Sequence, residues 1–243
     1  MHNTWTIYRR EFASAFNSPI AYIFILAFLA IMAFFFFIFY RFFSLPSPDP
    51  RIYFEILPLA FFIFIPAVTM RLWSEEKKQA TIELLMTLPL KSWEIVAGKF
   101  LAGFTIVAVG LLLTVLMPIS VSFVLPLDAT ALVASYVGAL LIAGVYVAIG
   151  SWISALTENQ IVAFVMSALA CALVCFMGFP NVIDWMSRNL HETLGRLVGY
   201  FGTYFHYQKF AQGQIALIDV VYALSMIGLF LGLNNFAVEG RKY

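Results

Sequence analysis

Long apolar segments, separated by shorter polar ones, occupy most of the chain. Six of the apolar segments run for roughly 20 residues, which is long enough to cross the roughly 30 Å hydrocarbon core of a bilayer as helices. A membrane β-barrel would instead show segments of about ten residues that alternate apolar and polar positions. The pattern therefore predicts an all-α membrane protein with six transmembrane helices, organised as a single domain over residues 1–243.

The polar intervals set the predicted bounds of these helices. Aromatic residues at helical spacing near the start predict an interfacial helix on the membrane surface. Pro58 and Pro66 remove backbone donors and predict a kink in the second span. In order, the predicted segments are an interfacial helix 4–18, spans 20–43 and 52–72, a polar connection 73–97, spans 98–124, 131–156 and 161–179, a polar segment 180–213 with an amphipathic surface helix, and a span 214–238.

The connection 73–97 is long and rich in charge. Ser74 is a fair N-cap for an amphipathic helix with Glu75 and Glu76 in its first turn. Lys77 and Lys78 are expected to stay in water on its polar face, beside Gln79 and Glu83, while Ala80, Ile82, Leu85 and Met86 form its apolar face.

Pro89 is expected to end that helix, and Ser92 to cap a second one that runs into the third span. Trp93 stands beside the exposed elbow between the two. This is either a solvated loop with interfacial anchors or a docking surface for a soluble partner, and its ordered caps and length favour the second interpretation.

Composition and charge narrow the function classes. The chain is 63% hydrophobic and 11% charged, whereas soluble domains carry roughly a quarter charged residues. Its net charge of +1 gives no basic surface for nucleic acid. No acidic, basic or histidine side chain lies away from the ends of the predicted spans, which argues against proton or sodium coupling.

Candidate chemical sites are weak. His191-Glu192 lacks the second histidine of a zinc protease motif, and His206 is expected at the surface. Cys171 and Cys175 are expected to be ordinary buried thiols. The sequence therefore predicts no catalytic, cofactor-binding or metal site in this chain.

Lysine and arginine residues near the span ends predict the orientation. They are concentrated on the side of the 73–97 connection, so that side is expected to be cytoplasmic. Six spans then place both termini in the cytoplasm and segment 180–213 outside. The expected location is a bacterial inner membrane.

Small residues spaced four apart mark close helix packing. Gly228 and Gly232 form such a face in the sixth span, and Ala134 with Gly138 form one in the fourth. Packing within the chain and packing at a dimer seam are equally compatible with this spacing.

Two stretches resemble a known family. The connection reads MRLWSEEKKQATIELLMTLPLKSWEIVAGKF from Met70 to Phe100, and the lead reads YRREFASAFNSPIAYIF from Tyr8 to Phe24. Both resemble ABC type-2 transporter permeases, most closely the gliding-motility-associated branch. The six-span layout, with a surface segment before the last span, is similar too.

The resemblance implies a division of labour between chains. Cytosolic ABC ATPase subunits would dock on this chain and hold ATP and magnesium, and a second permease half, identical or related, would complete the channel among membrane lipid. An extracytoplasmic auxiliary protein is a further candidate partner. By the resemblance, Arg71, Glu75, Glu76 and Glu83 are gate-helix residues, and the docking residues are Pro89, Leu90, Lys91, Ser92, Trp93 and Glu94.

The residues agree that nucleotide is not bound here. Gly98-Lys99 is the one Gly-Lys pair, but position 93 is tryptophan where a phosphate loop needs glycine, and Phe100 replaces the serine or threonine. The expected function is ATP-driven export or extraction of a substrate, such as a lipid-linked or envelope component. Mechanical transmission to envelope proteins is the alternative, and an ion-coupled transporter ranks below both.

Overall fold

The computed structural model describes residues 2–39, 51–82, 90–123, 128–189 and 191–240. The predicted class is confirmed: these residues form helices, and six helical segments are long and apolar enough to cross a membrane. In chain order the helices are α1 His2–Asn17, α2 Pro19–Ala33 with a π-helical extension Phe34–Phe39, α3 Arg51–Thr69, α4 Arg71–Lys78, α5 Ser92–Leu113, α6 Leu116–Ser122, α7 Ala129–Leu156, α8 Gln160–Met177, α9 Pro180–Asn189, α10 Glu192–Phe201, α11 Thr203–Ala211 and α12 Leu217–Glu239.

Helix α7 is the centre of the bundle. It contacts α3, α4, α5, α8, α11 and α12, and 67% of its span is buried. Small residues make this possible, because they let neighbouring backbones approach closely. A Cβ atom at Gly138 would collide with the ring of Phe210 in α11, and one at Gly150 would collide with Thr69 at the end of α3.

The spans of α2, α8 and α12 lie on the outside. Only 22%, 22% and 17% of their span residues are buried, and their outer faces carry exposed apolar side chains. Such faces are expected where a helix meets lipid or another membrane chain. Gly228 and Gly232 lie on α12, and a Cβ atom at either would meet no other described side chain within 4 Å.

The polar connection begins differently from the prediction. Helix α3 ends at Thr69 with Pro58 and Pro66 inside it, and α4 begins at Arg71. Ser74 is therefore an interior residue instead of an N-cap, and its hydroxyl donates to the carbonyl of Met70. The helix signal at Ser74 was misplaced because serine can satisfy itself on the preceding turn.

The same connection is also interrupted earlier than predicted. Helix α4 ends at Lys78, and a turn at Gln79 and Ala80 follows. Ala80 has a φ of 56°, a left-handed conformation that stops a right-handed helix. The continuous helix predicted through Met86 is therefore wrong at this turn, and positions 83–89 lie outside the described residues.

The segment 180–213 contains three helices where one amphipathic helix was predicted. Helices α9 and α10 pack against each other, and α10 ends at Phe201. Helix α11 turns back and packs on α7, α8 and α3. Tyr207 and Phe210 are each only 1% exposed, so α11 belongs to the bundle interior.

Candidate functional site

The start of α5 is a rigid corner with one exposed aromatic side chain. The backbone N–H of Lys91 and the side-chain amide of Asn3 both donate to Oε2 of Glu94, each at 3.2 Å. These bonds fix the helix start, as a carboxylate in the first turn does at many helix ends. Ser92 and Glu94 are buried, whereas Trp93 is 51% exposed.

This arrangement divides the predicted docking residues into two groups. Lys91 and Trp93 are exposed, and Leu90 is half-buried. Ser92 and Glu94 lie within the corner, and Glu94 uses its carboxylate to hold α1 and the start of α5. Ser92 is the first residue of α5 and Lys91 its N-cap, so the cap lies one residue before the predicted position. Pro89 lies outside the described residues.

Helix α4 is fastened to the end of α7 by hydrogen bonds. Ser154 Oγ accepts from the backbone N–H groups of Trp73 and Ser74, each at 3.2 Å, and donates to the carbonyl of Met70 at 2.8 Å. The ammonium of Lys77 donates to the carbonyl of Ala155. Lys77 is only 6% exposed, so the prediction that it stays in water is wrong. Its ammonium finds a helix C-terminal carbonyl instead, which is a favourable site for a cation.

A buried indole extends this connection to α12. Trp73 is fully buried, and its Nε1 donates to Ser151 Oγ at 3.2 Å. Asn234 of α12 donates to the same oxygen at 2.8 Å. Around them, an apolar cluster joins α1, α4, α5, α7 and α12, with members that include Ile7, Ile95 and Val238. Five helices thus meet at one end of the bundle.

Four charged side chains form an ion-pair network at this same end. We define the network as Arg10, Glu11, Glu76 and Lys99. Lys99 Nζ lies 3.2 Å from Glu11 Oε1 and 3.0 Å from Glu76 Oε1, and Arg10 contacts the same two oxygens at 2.6 and 3.2 Å. The network therefore links α1, α4 and α5.

Lys99 is the centre of that network. Its side chain is only 1% exposed, and its ammonium also donates to the carbonyl of Leu72 at 2.7 Å. It lies 5.1 Å from the centre of the Trp73 ring, in cation–π contact. A buried ammonium is tolerated only with this many partners, because leaving water is costly for a charge.

The network changes the acidity of Glu11. Burial raises the pKa of this carboxyl, but the ammonium of Lys99 and the guanidinium of Arg10 outweigh burial. The pKa of Glu11 therefore lies below its ordinary value. Glu11 is ionised at neutral pH and can act as a permanent partner for both cations.

The predicted gate residues lie on α4 and face different partners. Arg71 and Glu75 form a bidentate pair along the helix, with nitrogen–oxygen distances of 2.8 and 2.9 Å. Glu76 joins the ion-pair network. Glu83 lies outside the described residues. The structure thus brings Glu76 into contact with α5 and α1, which no spacing in the sequence indicates.

A second buried ionic cluster lies at the opposite end of α7. We call it the His206 cluster, formed by His206, Lys209 and Asp219. Asp219 Oδ1 lies 2.6 Å from His206 Nδ1 and 3.1 Å from Lys209 Nζ. The surface position predicted for His206 is wrong, since it is 2% exposed and its ring stacks on Tyr222 at 3.8 Å between centroids.

Both ring nitrogens of His206 have an oxygen neighbour. His206 Nε2 faces the carbonyl oxygen of Tyr200 at 2.9 Å, while Nδ1 faces the Asp219 carboxylate. The imidazole is therefore held on both sides, by α10 and by α12. The cluster joins α11 to α12.

Other candidate chemistry is limited. Within the described ranges, no group of three histidine, cysteine, aspartate or glutamate side chains is placed to hold a metal ion. Cys171 and Cys175 are buried free thiols on α8. His191 begins the exposed α10 region, where Glu192 pairs with Arg196. The ion-pair network and the α5 corner are therefore the best-defined site.

The two pairs of small residues predicted from the sequence differ in what surrounds them. Ala134 and Gly138 are buried in α7, and Gly138 receives Phe210 from the same chain. Gly228 and Gly232 have no such neighbour among the described residues. Ala134 and Gly138 therefore serve packing within the chain. The face at Gly228 and Gly232 is free of described side chains and could accept lipid or another protein chain.

Comparison with known proteins gives one family. The family model described as ABC-2 family transporter protein matches residues 5–196, which include most of α1, the ion-pair network and the start of α5. A search of curated proteins finds no match. Because the family model covers most of the chain, this protein belongs to the ABC-2 transporter family and is a multi-pass membrane permease component.

Proposed function

We propose that this chain is the permease subunit of an ABC transporter in a bacterial inner membrane, driven by separate cytosolic ATPase subunits. Members of its family generally work with such subunits. The chain itself holds no nucleotide in this proposal, and ATP with magnesium binds to the ATPase. The observation that carries it is the exposed Trp93 on the fixed corner at the start of α5.

Trp93 has the properties of a docking residue. Its indole is 51% exposed although both neighbours in sequence are buried. The backbone beneath it is held by Glu94, so little conformational freedom would be lost on binding. Tryptophan on a rigid surface is a frequent hot spot of protein interfaces. Lys91 beside it adds a positive charge for partner selection.

A physical route leads from this corner to the centre of the bundle. Lys99 lies two turns further along α5 and is held by Glu76 of α4. Helix α4 is in turn bonded to the end of α7 through Ser154 and Ala155. Movement of the corner would therefore displace α4 and α7 together, which supports a gate role for α4. Coupling through such rigid, bonded elements is a physical mechanism for transmission.

Orientation and assembly complete the proposal. In the predicted topology, nine of the fourteen lysine and arginine residues lie on the same side of the membrane as the corner and α4, which supports a cytosolic position for them and for both termini. The open face at Gly228 and Gly232 supports close contact with a second permease half, either identical or related. The cargo we favour is a lipid-linked or envelope component. Force transmission to envelope proteins, with an auxiliary partner outside, is the alternative.

An ion-coupled transporter remains the third candidate. The His206 cluster is the observation that bears on it, since Asp219 is 1% exposed within an apolar bundle. Asp219 lies in the first turn of α12, at an end of the span, and both side chains that contact its carboxylate come from α11. A relay across the membrane would need ionisable groups near mid-depth. The cluster favours a structural clasp.

The docking proposal is tested by Trp93→Ala in the chain co-expressed with the cytosolic ATPase subunit that the proposal requires. We expect at least about a 30-fold weaker association, the size of a hot-spot loss, and a matching loss of permease-stimulated ATP hydrolysis. Trp185→Ala is the matched control, because Trp185 is 62% exposed on α9 at the other end. Equal association of the two variants would show that the ATPase binds elsewhere.

A further inference from the structure

A cavity of about 690 Å³ lies between α1, α4 and α5, with α2 and α3 at its base. Its size is within the roughly 300–1,000 Å³ of small-molecule sites. Side chains four residues apart face it from two chain segments: Arg10 and Ser14 on α1 with Ser18 just after its end, and Arg71 and Glu75 on α4 with Gln79 just after its end. The cavity is thus built from two matched helix faces.

The cavity changes character with depth. Along α5 the lining residues are Lys99, Ala102 and Ile106, which run from a cation to an apolar side chain over about 10 Å of helix. Phe24 and Val68 continue the apolar base. The opening is at the polar end, where Ser14 and Gln79 are exposed. A ligand that fits has one polar end and one apolar end.

The polar end has balanced charge. Three cations and three anions line it: Arg10, Arg71 and Lys99 with Glu11, Glu75 and Glu76. An anionic group alone would meet the three carboxylates, and a cationic group alone would meet the three cations. A zwitterionic group can place its phosphate by the arginines and its amine by the carboxylates. Balanced lining charge therefore favours a zwitterion.

One carboxylate oxygen also lacks a donor. Glu76 Oε2 is buried and has no hydrogen-bond partner within the described chain, although Oε1 holds Lys99 and Arg10. An unpaired buried acceptor is costly, so a ligand N–H donor would be stabilised there. A primary ammonium has three such donors. A quaternary ammonium has none and would need an aromatic cage, but among the described residues that line the cavity Phe24 is the one aromatic side chain.

A row of aromatic side chains follows α1 beside the cavity. The rings of Trp5, Tyr8, Phe12 and Phe16 contact one another in sequence, with centroids 4.8, 5.7 and 4.7 Å apart. Aromatic side chains on an interfacial helix settle at headgroup level. We propose that this cavity binds one membrane phospholipid with an ethanolamine headgroup, its phosphate towards Arg10 and Arg71 and its acyl chains leaving over the apolar base.

The test is native mass spectrometry of the full chain, purified in detergent with equal amounts of phosphatidylethanolamine, phosphatidylcholine and phosphatidylglycerol. We expect one phosphatidylethanolamine to be retained about tenfold over each of the others, the effect of about one charge-assisted hydrogen bond. Equal retention of all three, or preference for phosphatidylglycerol, would overturn the proposal. No ATPase is needed, so this result is independent of the docking proposal.

Two variants locate the binding site. Ser14→Trp fills the cavity from an exposed position and should reduce phosphatidylethanolamine retention at least about tenfold. Ala13→Trp is the control, since Ala13 is exposed on the same helix but does not line the cavity. Gln79→Trp, with Lys78→Trp as its control, repeats the test from α4. If neither filling variant differs from its control, the lipid binds elsewhere and the proposal fails.

A third measurement separates a lipid from a soluble zwitterion. Glycerophosphoethanolamine has the same headgroup without acyl chains, so it cannot use the apolar base and should bind at least about tenfold more weakly than the lipid. Equal binding of the two would show a site for a soluble ligand and would overturn the assignment to a phospholipid.

Discussion

At one end of the bundle two carboxylates hold one buried ammonium, and at the other end a histidine ring and an ammonium hold one buried carboxylate. Lys99 is held by Glu11 from α1 and by Glu76 from α4. Asp219 is held by His206 and Lys209, which both come from α11. The first arrangement joins helices that are distant along the chain, whereas the second joins two consecutive helices.

The difference concerns what each end can transmit. The ion-pair network lies beside an open cavity and the exposed corner of α5, and its helix α4 is bonded to the end of α7. In the His206 cluster the histidine and the carboxylate are buried; the ring of Tyr222 stacks on His206, and the ring of Phe205 meets it edge-on. A force applied at the first end reaches several helices at once. The second end instead fixes the local path of the chain as it enters α12.

Replacement of Lys99 should give the largest effect of those proposed at the two ends. Lys99→Met leaves Glu11 and Glu76 without their buried ammonium, and breaking a buried ion pair costs about 3–5 kcal/mol. We expect a loss of this size in the free energy of unfolding, measured in detergent by thermal or denaturant unfolding. Hydrogen exchange should increase in α1, α4 and α5 together.

Lys78→Met is the matched control for that change. Lys78 lies on the same side of the bundle at the end of α4, but it is exposed. A surface substitution of this kind usually changes stability by no more than about 0.5 kcal/mol. If the two variants unfold alike, the ion-pair network contributes nothing that the other contacts between these helices do not supply.

Asp219→Asn should have a smaller and more local effect. The substitution replaces the fully buried carboxylate that contacts His206 with a neutral amide. Lys209, the other partner of Asp219, is 34% exposed and can turn to water. We expect a loss of about 2–3 kcal/mol, near the value of one charge-assisted hydrogen bond. Faster hydrogen exchange should be confined to α11 and the start of α12. Faster exchange in α1 or α4 would show that the two ends are coupled and would break the comparison.

Acid should weaken the first end through Glu11. The pKa of this carboxyl is lower in the folded chain than the ordinary value, so its contribution to stability is complete above about pH 4.5 and is lost as the pH falls through the folded pKa. Thermal unfolding of the chain from pH 7 to pH 3 measures this loss. In Glu11→Gln the part of this loss that is due to Glu11 should disappear, so stability should depend less on pH than in the wild type. A wild-type profile in that variant would contradict the assignment.

Local signals explain what could be predicted from the sequence. The apolar runs give the six spans, because length and hydrophobicity along one segment decide whether it can cross a membrane. The start of α5 was predicted to within one residue for the same reason, since Pro89 and Ser92 lie next to it along the chain. Signals of this kind need no knowledge of other helices.

Contacts between residues far apart along the chain explain what could not be predicted from the sequence. In the sequence, Lys99 is simply a lysine near the end of a span. Its contacts with Glu11 and Glu76 depend on how the helices pack. Lys77 and His206 were predicted to face water, although the side chain of each has a buried hydrogen-bond partner on another helix. Ala80 is the strongest helix former and still ends α4 in a left-handed conformation. Tertiary contacts override the local preference at Lys77, Lys99 and His206.

An exposed ion pair gives the smallest expected effect and sets the scale for both ends. Arg196 and Glu192 lie one turn apart on α10 with nitrogen and oxygen 2.5 Å apart, but both side chains are about 70% exposed. Water and salt screen such a pair, and pairs of this type contribute about 0.3–0.5 kcal/mol. Arg196→Ala should therefore change the free energy of unfolding by no more than this amount, measured as for Lys99→Met. Distance alone would rank this pair above the contacts of Lys99, so a loss of several kcal/mol here would show that burial is not what separates the ion-pair network from a surface contact.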